Sequence, residues 1–299
     1  MKSGRYLIIF FAFCLSINLS FSQEKISLAD LKSRIEDSLK TQSGIFALAF
    51  KDLSSNKTIF INEHTIFHAA STMKTPVLVE VYNQVNQHKI SLNDSIVLKN
   101  EFTSIADGSP FTLDSAVDSE KDLYTHLGEK RSLSQLLYQM ITVSSNFSTN
   151  LVIDRVGANN VTETMRKLGL RDLQVLRGVE DNKAYAKGLN NIVTAYDLMI
   201  LFEKIAKGKA VNPASSKEMI KILEDQKFNE IIPAQLPANV KVAHKTGSFK
   251  GVHHDSGIVF LPNGKKYVIV ILSKDLTDEE AATRMMAGIS GMIYRFVVQ

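Results

Sequence analysis

The amino-acid sequence predicts an α/β protein of the α+β kind: an antiparallel sheet built from both chain ends and flanked by helices, enclosing an all-helical part. Three observations carry this. Runs of β-branched and aromatic residues lie toward the two ends, and segments with apolar residues three and four apart fill the middle. No linker rich in Pro, Gly or Ser and no internal repeat interrupts residues 23–299. The α/β part is expected over about 27–67 and 216–299, the helical part over about 68–215.

Each element has a local reason. Ser27 with Asp30 forms a capping box, and Leu28, Leu31, Ile35 and Leu39 recur at helical spacing before the stop at Ser43-Gly44. Two strand-like runs follow, 45–52 and 58–62, joined by the turn 53–57. The segments 72–86, 133–143, 147–156, 161–168, 194–206 and 215–223 read as helices. Strands are expected at 240–244, 256–261 and 266–273, the last two joined at Pro262-Asn263-Gly264, and a closing helix at about 278–296. A ligand site belongs in the crevice between the two parts.

Composition excludes several functions. Of 299 residues 44% are hydrophobic and 22% charged, ordinary for a folded domain. The net charge of +4 is spread without the dense Lys/Arg clusters that nucleic acid requires. One cysteine, Cys14, allows neither a disulfide framework nor a thiolate zinc site, and the seven histidines show no H-x-H or H-E-x-x-H spacing. No metal or other cofactor is implied, and the sequence leaves the oligomeric state open.

Lys2 and Arg5 precede an uncharged run, 6–22, whose apolar centre 7–17 is too short for a comfortable membrane span and is followed by small polar residues. This pattern predicts a signal peptide over residues 1–22, a mature chain starting near Gln23 without a stable membrane span, and export, to the periplasm. A lipid anchor on Cys14 is disfavoured by the bulky Phe13 before it.

Three short segments could do chemistry. Ser71-Thr72-Met73-Lys74 leads into an apolar helix, so a serine hydroxyl and a lysine amine lie one turn apart, and a lysine with a lowered pKa can activate the hydroxyl. The S-x-x-K pattern is weak by itself, since residues 22–25 and 54–57 match it too, and without further support an N-cap serine beside a solvated lysine is the better explanation. Ser144-Ser145-Asn146 places a hydroxyl and an amide at a turn between helices, where capping is the plain alternative. Lys245-Thr246-Gly247 ends a strand with a cation, a hydroxyl and a glycine that lets a substrate approach, or it is a strand edge guarded by lysine.

Together and in this order, the three segments resemble the signatures of the penicillin-recognising serine hydrolases, the class A β-lactamases and penicillin-binding proteins. The resemblance covers most of residues 27–299 and implies a β-lactamase/transpeptidase-like fold acting on a small β-lactam or on a peptidoglycan stem peptide. It implies that Ser71 is the nucleophile and that Lys74 keeps its hydroxyl deprotonable. Ser144 would relay a proton to the leaving nitrogen, Asn146 would hold the substrate amide, and Lys245 would bring positive charge near the substrate carboxylate. Thr246 would add a hydroxyl there, and the N–H groups of Ser71 and Ser248, beside Gly247, would form the oxyanion hole. His254 is the candidate cation for the carboxylate, since at most one of the consecutive rings of His253 and His254 can face the site in a strand.

Three features depart from the family. Ser145 stands where the family usually has Asp, residues 100–130 with an acidic run over 114–122 read as an insertion near the site mouth, and the loop Glu has no Asn four residues later. Glu180 is the candidate deacylating base with Asp181 behind it; Ala184 occupies the +4 position and Asn182 the +2 position. The plain alternative is a surface pair between Glu180 and Arg177. Three activities remain: a secreted β-lactamase, a D-alanyl-D-alanine peptidase or transpeptidase, and a penicillin sensor that stays acylated. A working Glu180 favours the first, as does a length of 277 residues after the signal peptide, which fits one catalytic domain.

Overall fold

The capping box at Ser27 is present in the computed structural model, which describes residues 25–299; the candidate signal peptide and Cys14 lie outside the described residues. Ser27 Oγ accepts the Asp30 N–H at 3.1 Å and the Asp30 carboxylate accepts the Ser27 N–H at 3.3 Å, opening α1 (Leu28–Leu39). Next come β1 (Ile45–Asp52), β2 (Thr58–Ile61), the short β3 (Phe67–His68), a 3-10 turn (Ala70–Met73) and α2 (Lys74–Asn86). Four short strands, β4 (Ser95–Val97), β5 (Phe102–Thr103), β6 (Pro110–Phe111) and β7 (Lys130–Ser132), form two ribbons, β4 with β7 and β5 with β6.

Four helices follow, α3 (Leu133–Thr142), α4 (Asn146–Val156), α5 (Ala158–Lys167) and the single-turn α6 (Asn182–Ala186). Strand β8 (Ile192–Val193) pairs with β3. Helices α7 (Ala195–Ala206) and α8 (Pro213–Glu224) lead to the three long strands β9 (Lys241–Phe249), β10 (Val252–Phe260) and β11 (Lys266–Lys274), and α9 (Glu279–Val298) closes the chain.

The main sheet is antiparallel in the order β2-β1-β11-β10-β9, so strands from the two chain ends meet at its centre, with Ala49 opposite Val270. Alternate residues serve two cores. Leu48, Phe50, Ile269 and Ile271 face outward against Leu31 and Ile35 of α1 and Ile289 and Ile293 of α9. Ala47, Ala49, Val268 and Val270 face inward and join the same core as the helices. Helix α7, which its position assigns to the helical part, packs on β1, β10 and β11; its small and aliphatic contacts with the inner alanines make the two parts share one interior.

Two element boundaries differ from expectation. Strands β9 and β10 run to Phe249 and from Val252, instead of stopping at 244 and starting at 256. The polar stretch His253-His254-Asp255 hides strand character because its partners are internal: His254 and Asp255 are fully buried. The helix expected from Thr72 starts as the 3-10 turn, and α2 proper begins at Lys74. Pro76 is tolerated there because first-turn N–H groups have no intrahelical partner. Among the described residues no helix is long and apolar enough to cross a membrane.

Candidate active site

Ser71 is placed by a backbone under tension. Ala70 before it has φ +45°, a left-handed conformation unusual for an alanine. On its other side, a Cβ on Gly247 of β9 would stand 2.9 Å from the backbone nitrogens of Ser71 and Thr72. Only glycine lets the edge strand come this close, which brings Ser248 beside Ser71 as an oxyanion site needs.

Lys74 lies fully buried one turn on. Its Nζ donates to the Ser144 carbonyl at 2.6 Å, the Ser144 Oγ at 3.1 Å and the Asn146 Oδ1 at 2.9 Å. Burial pulls its pKa down to about 7, although the negative charges of Asp118 and Glu180 oppose the shift. Lys245 reaches the same hydroxyl from the other side: its Nζ donates to Ser144 Oγ at 3.0 Å and to the Thr246 carbonyl at 2.9 Å. Burial, then the nearby Lys74 cation, pushes Lys245 well below the ordinary lysine value, and Asp255 counters in part. Ser144 holds this position with φ +58°.

Asn146, the first residue of α4, joins the lysine to a carboxylate. Its Nδ2 donates to Glu180 Oε1 at 2.7 Å while its Oδ1 accepts from Lys74. Glu180 is itself at φ +61°. Burial raises its pKa; the Asn146 hydrogen bond, the Asp114 backbone and Lys74 work against this, and Asp118 adds to it. Three of the seven non-glycine residues with positive φ among the described residues, Ala70, Ser144 and Glu180, therefore border one site. Strain of this kind persists where surrounding structure over-determines it.

Ser71 stands at the junction of two cavities. One, of about 420 Å³, runs past Ser144, Asn146, Thr246, Gly247 and Ser248; the other, of about 340 Å³, lies between Ser71, Asn146 and Ser248 and the loop carrying Arg177 and Glu180. The sequence thus brings together Ser71, Ser144, Asn146, Thr246, Gly247, Ser248 and Glu180, with Lys74 and Lys245 beneath. Among the described residues no three His, Cys, Asp or Glu side chains converge as metal ligands would.

His254 is a correction. It is fully buried on the inner face of β10, its Nε2 at 2.9 Å from the His68 carbonyl and its Nδ1 accepting the Ser273 N–H at 3.1 Å. Burial lowers its pKa to about 4, so it is neutral and offers no cation. The ring that does line the larger cavity is that of His253, paired in register with Ser248. Burial lowers its pKa as well, against the pull of Asp255, Glu230 and Glu279, and its Nδ1 lies 2.7 Å from the Thr283 hydroxyl of α9.

The loop's contacts set Glu180 apart from its neighbours. Arg177 does not pair with Glu180; its guanidinium donates to the carbonyls of Leu189 and Gly178 and to Asn190 Oδ1. Asp181 also borders the smaller cavity, but its carboxylate is engaged by other donors, accepting from Ser104 Oγ at 2.8 Å, Ile105 N–H at 2.9 Å and Ala184 N–H at 3.0 Å. Burial alone would raise its pKa, but these hydrogen bonds outweigh that and lower it. Two contributors escaped the sequence. His68 Nδ1 accepts the Ala70 N–H at 3.0 Å and so supports the strained approach to Ser71; burial and then Arg177 lower its pKa to about 4. Asp118, from the acidic stretch over 114–122, reaches the start of α4, and the missing carboxylate at Ser145 was the available signal.

The sequence model of the Beta-lactamase enzyme family matches residues 30–297. The beta-lactamase of Bacteroides uniformis is 22% identical over 288 residues, covering 89% of this chain and 91% of that protein. Beta-lactamase VEB-1 of Pseudomonas aeruginosa is 21% identical over 280 residues, covering 89% and 90%. Among solved structures, the beta-lactamase of Sphaerobacter thermophilus superposes with a TM-score of 0.77 at 25% identity over 91% of this chain and 98% of that one. A point mutant of PBP-A, solved as an acyl-enzyme complex with penicillin G, gives 0.77 at 26% identity over 92% and 98%. Fold, motif order and a match over nearly the whole described chain lead to one conclusion: this protein belongs to the beta-lactamase enzyme family of serine hydrolases.

Proposed function

We propose that the protein is an exported class A β-lactamase that opens the lactam through an acyl-enzyme on Ser71 and releases it by hydrolysis from Glu180. The observation that carries this reading is the Asn146 bridge, which ties the buried Lys74 amine to a carboxylate bordering the Ser71 cavity. A serine acylated by a lactam needs two proton acceptors in succession, and this arrangement supplies two.

In the first step the neutral Lys74 amine takes the Ser71 hydroxyl proton while Oγ bonds to the lactam carbonyl carbon. The developing oxyanion lies between the Ser71 and Ser248 N–H groups. The C–N bond then breaks, and the nitrogen receives a proton through the Ser144 hydroxyl, which both lysines contact. In the second step Glu180 takes a proton from water as that water attacks the ester carbon. The ester C–O bond breaks, and the proton that Glu180 took returns to Ser71 Oγ, which regenerates both groups. Lys245, Thr246 and Ser248 receive the substrate carboxylate.

Turnover of nitrocefin by the purified protein tests the proposal. Steady turnover is expected, whereas Glu180→Gln, which keeps size and hydrogen bonding, accumulates a species heavier by one intact lactam. A stoichiometric burst without turnover in the parent would assign the protein to the peptidases or sensors instead. Absence of acylation in Ser71→Ala completes the assignment of the nucleophile.

A further inference from the structure

Ser145 leaves the start of α4 without the carboxylate that the family resemblance expects. The first N–H groups of a helix lack intrahelical partners, and here two residues divide them. Ser145 Oγ accepts the Ser148 N–H at 3.1 Å. The N–H groups of Asn146 and Phe147 donate to Oδ1 and Oδ2 of Asp118 at 3.0 and 2.8 Å. Asp118 is only 3% exposed, and it also accepts the Tyr124 hydroxyl at 2.9 Å and the Glu120 N–H at 3.2 Å. Its neighbour Ser119 donates its hydroxyl to the Val143 carbonyl. Residues 118 and 119 therefore grip the turn 143–147 on both sides of the strained Ser144.

We propose that Asp118 is a positioning residue of the active site, whose carboxylate fixes the Asn146 amide between Lys74 and Glu180 and sets a negative charge behind both. The proposal rests on the serine-hydrolase reading above. Its charge acts in a crowded neighbourhood: Glu180 faces Lys74, Asn146 and the Asp114 backbone, Lys74 faces Ser144 and Asn146 with Lys245 beyond, and Tyr124 and Glu120 border Asp118 itself. Asp118 raises the pKa of both Lys74 and Glu180. Removing the charge therefore lets Glu180 ionise at lower pH, while an amide at 118 sets an NH2 group against an N–H of α4 and loosens Asn146.

The test compares parent, Asp118→Asn and Tyr124→Phe, the last of which removes one hydrogen bond and leaves the charge. In Asp118→Asn the deacylation rate is expected to fall roughly 10- to 10²-fold, and the acid limb of kcat to move down by about half a pH unit or more. Tyr124→Phe keeps the limb in place. Parental rates and limb in Asp118→Asn overturn the proposal, as does a loss of activity that follows a fall in Tm with no limb shift. Should Asp118→Asn not fold, Asp118→Glu decides: a lowered kcat with an unmoved limb supports positioning, and parental kcat refutes it. Carbon-13 titration of the Glu180 carboxyl in the folded variants does not depend on lactam turnover. A Glu180 pKa unchanged by Asp118→Asn sinks the proposal, whereas a parent that binds no lactam sinks only the reaction assigned to the site.

Discussion

A lysine ammonium has three N–H donors and no lone pair, and Lys74 spends all three, on the Ser144 carbonyl, the Ser144 hydroxyl and Asn146. In that state it cannot accept a proton. Loss of one proton leaves two donors and a lone pair free for the Ser71 hydroxyl, and burial brings this change to about pH 7. Acylation of Ser71 is accordingly expected to rise about tenfold per pH unit below 7 and to level off above it, because the base form disappears as pH falls. Labelling by a fluorescent penicillin at fixed times between pH 5 and 9 measures this, and a flat profile would remove Lys74 as the base. Lys74→Arg, whose guanidinium stays protonated, should lose at least ~10²-fold. Ser71, Lys74, Ser144 and Lys245 were legible in the sequence because each motif is short and its geometry follows from one helix turn or one strand. Asp118 was not, because its contact with Asn146 is made by tertiary packing across a separation of 28 residues that includes β7 and α3.

At the level of elements, the site depends on how tightly one strand edge meets one turn. Strand β9 lies against the 3-10 turn of Ser71 through Gly247, where a methyl group would meet two backbone nitrogens that cannot rotate away. Gly247→Ala is expected to push the strand off the turn and cut penicillin labelling at least ~10²-fold, since small displacements of positioned groups are that costly. The fold itself should survive with a loss of about 1–3 kcal/mol, read as a modest fall in Tm by circular dichroism. Equal labelling in the two proteins would show that the close approach has no role. The same pair of strands explains why His254 was misplaced. Side-chain facing in a strand follows its phase, and an expected start at residue 256 left 253 and 254 without one; the observed hairpin through Gly251 sets His253 on the outer face, where it borders the cavity and meets Thr283, and His254 on the inner face against Phe67 and His68.

Over the whole molecule, the central strand of the sheet comes last. β11 lies between β1 and β10, and both faces of the sheet bury their side chains only when it is in place. Ile26 and Gln299 also bond to each other, the Ile26 N–H donating to Gln299 Oε1 at 3.1 Å and the Gln299 amide donating back to the Ile26 carbonyl at 3.0 Å. A chain cut after Phe260 is therefore expected to lose its resistance to trypsin and its cooperative melting. A circular permutant that links residue 299 to residue 26 and opens in the exposed turn 263–265 should keep both. The antiparallel sheet from both ends was readable from the strand-like runs and turns at the two ends, but which strand sits centrally was not, since strand order is set by long-range pairing. That order has a bearing on biosynthesis. With its middle strand encoded near the end, a nascent chain cannot close its sheet until almost all of it has been made, so the segment from Lys266 onward acts as the bolt for everything synthesised before it.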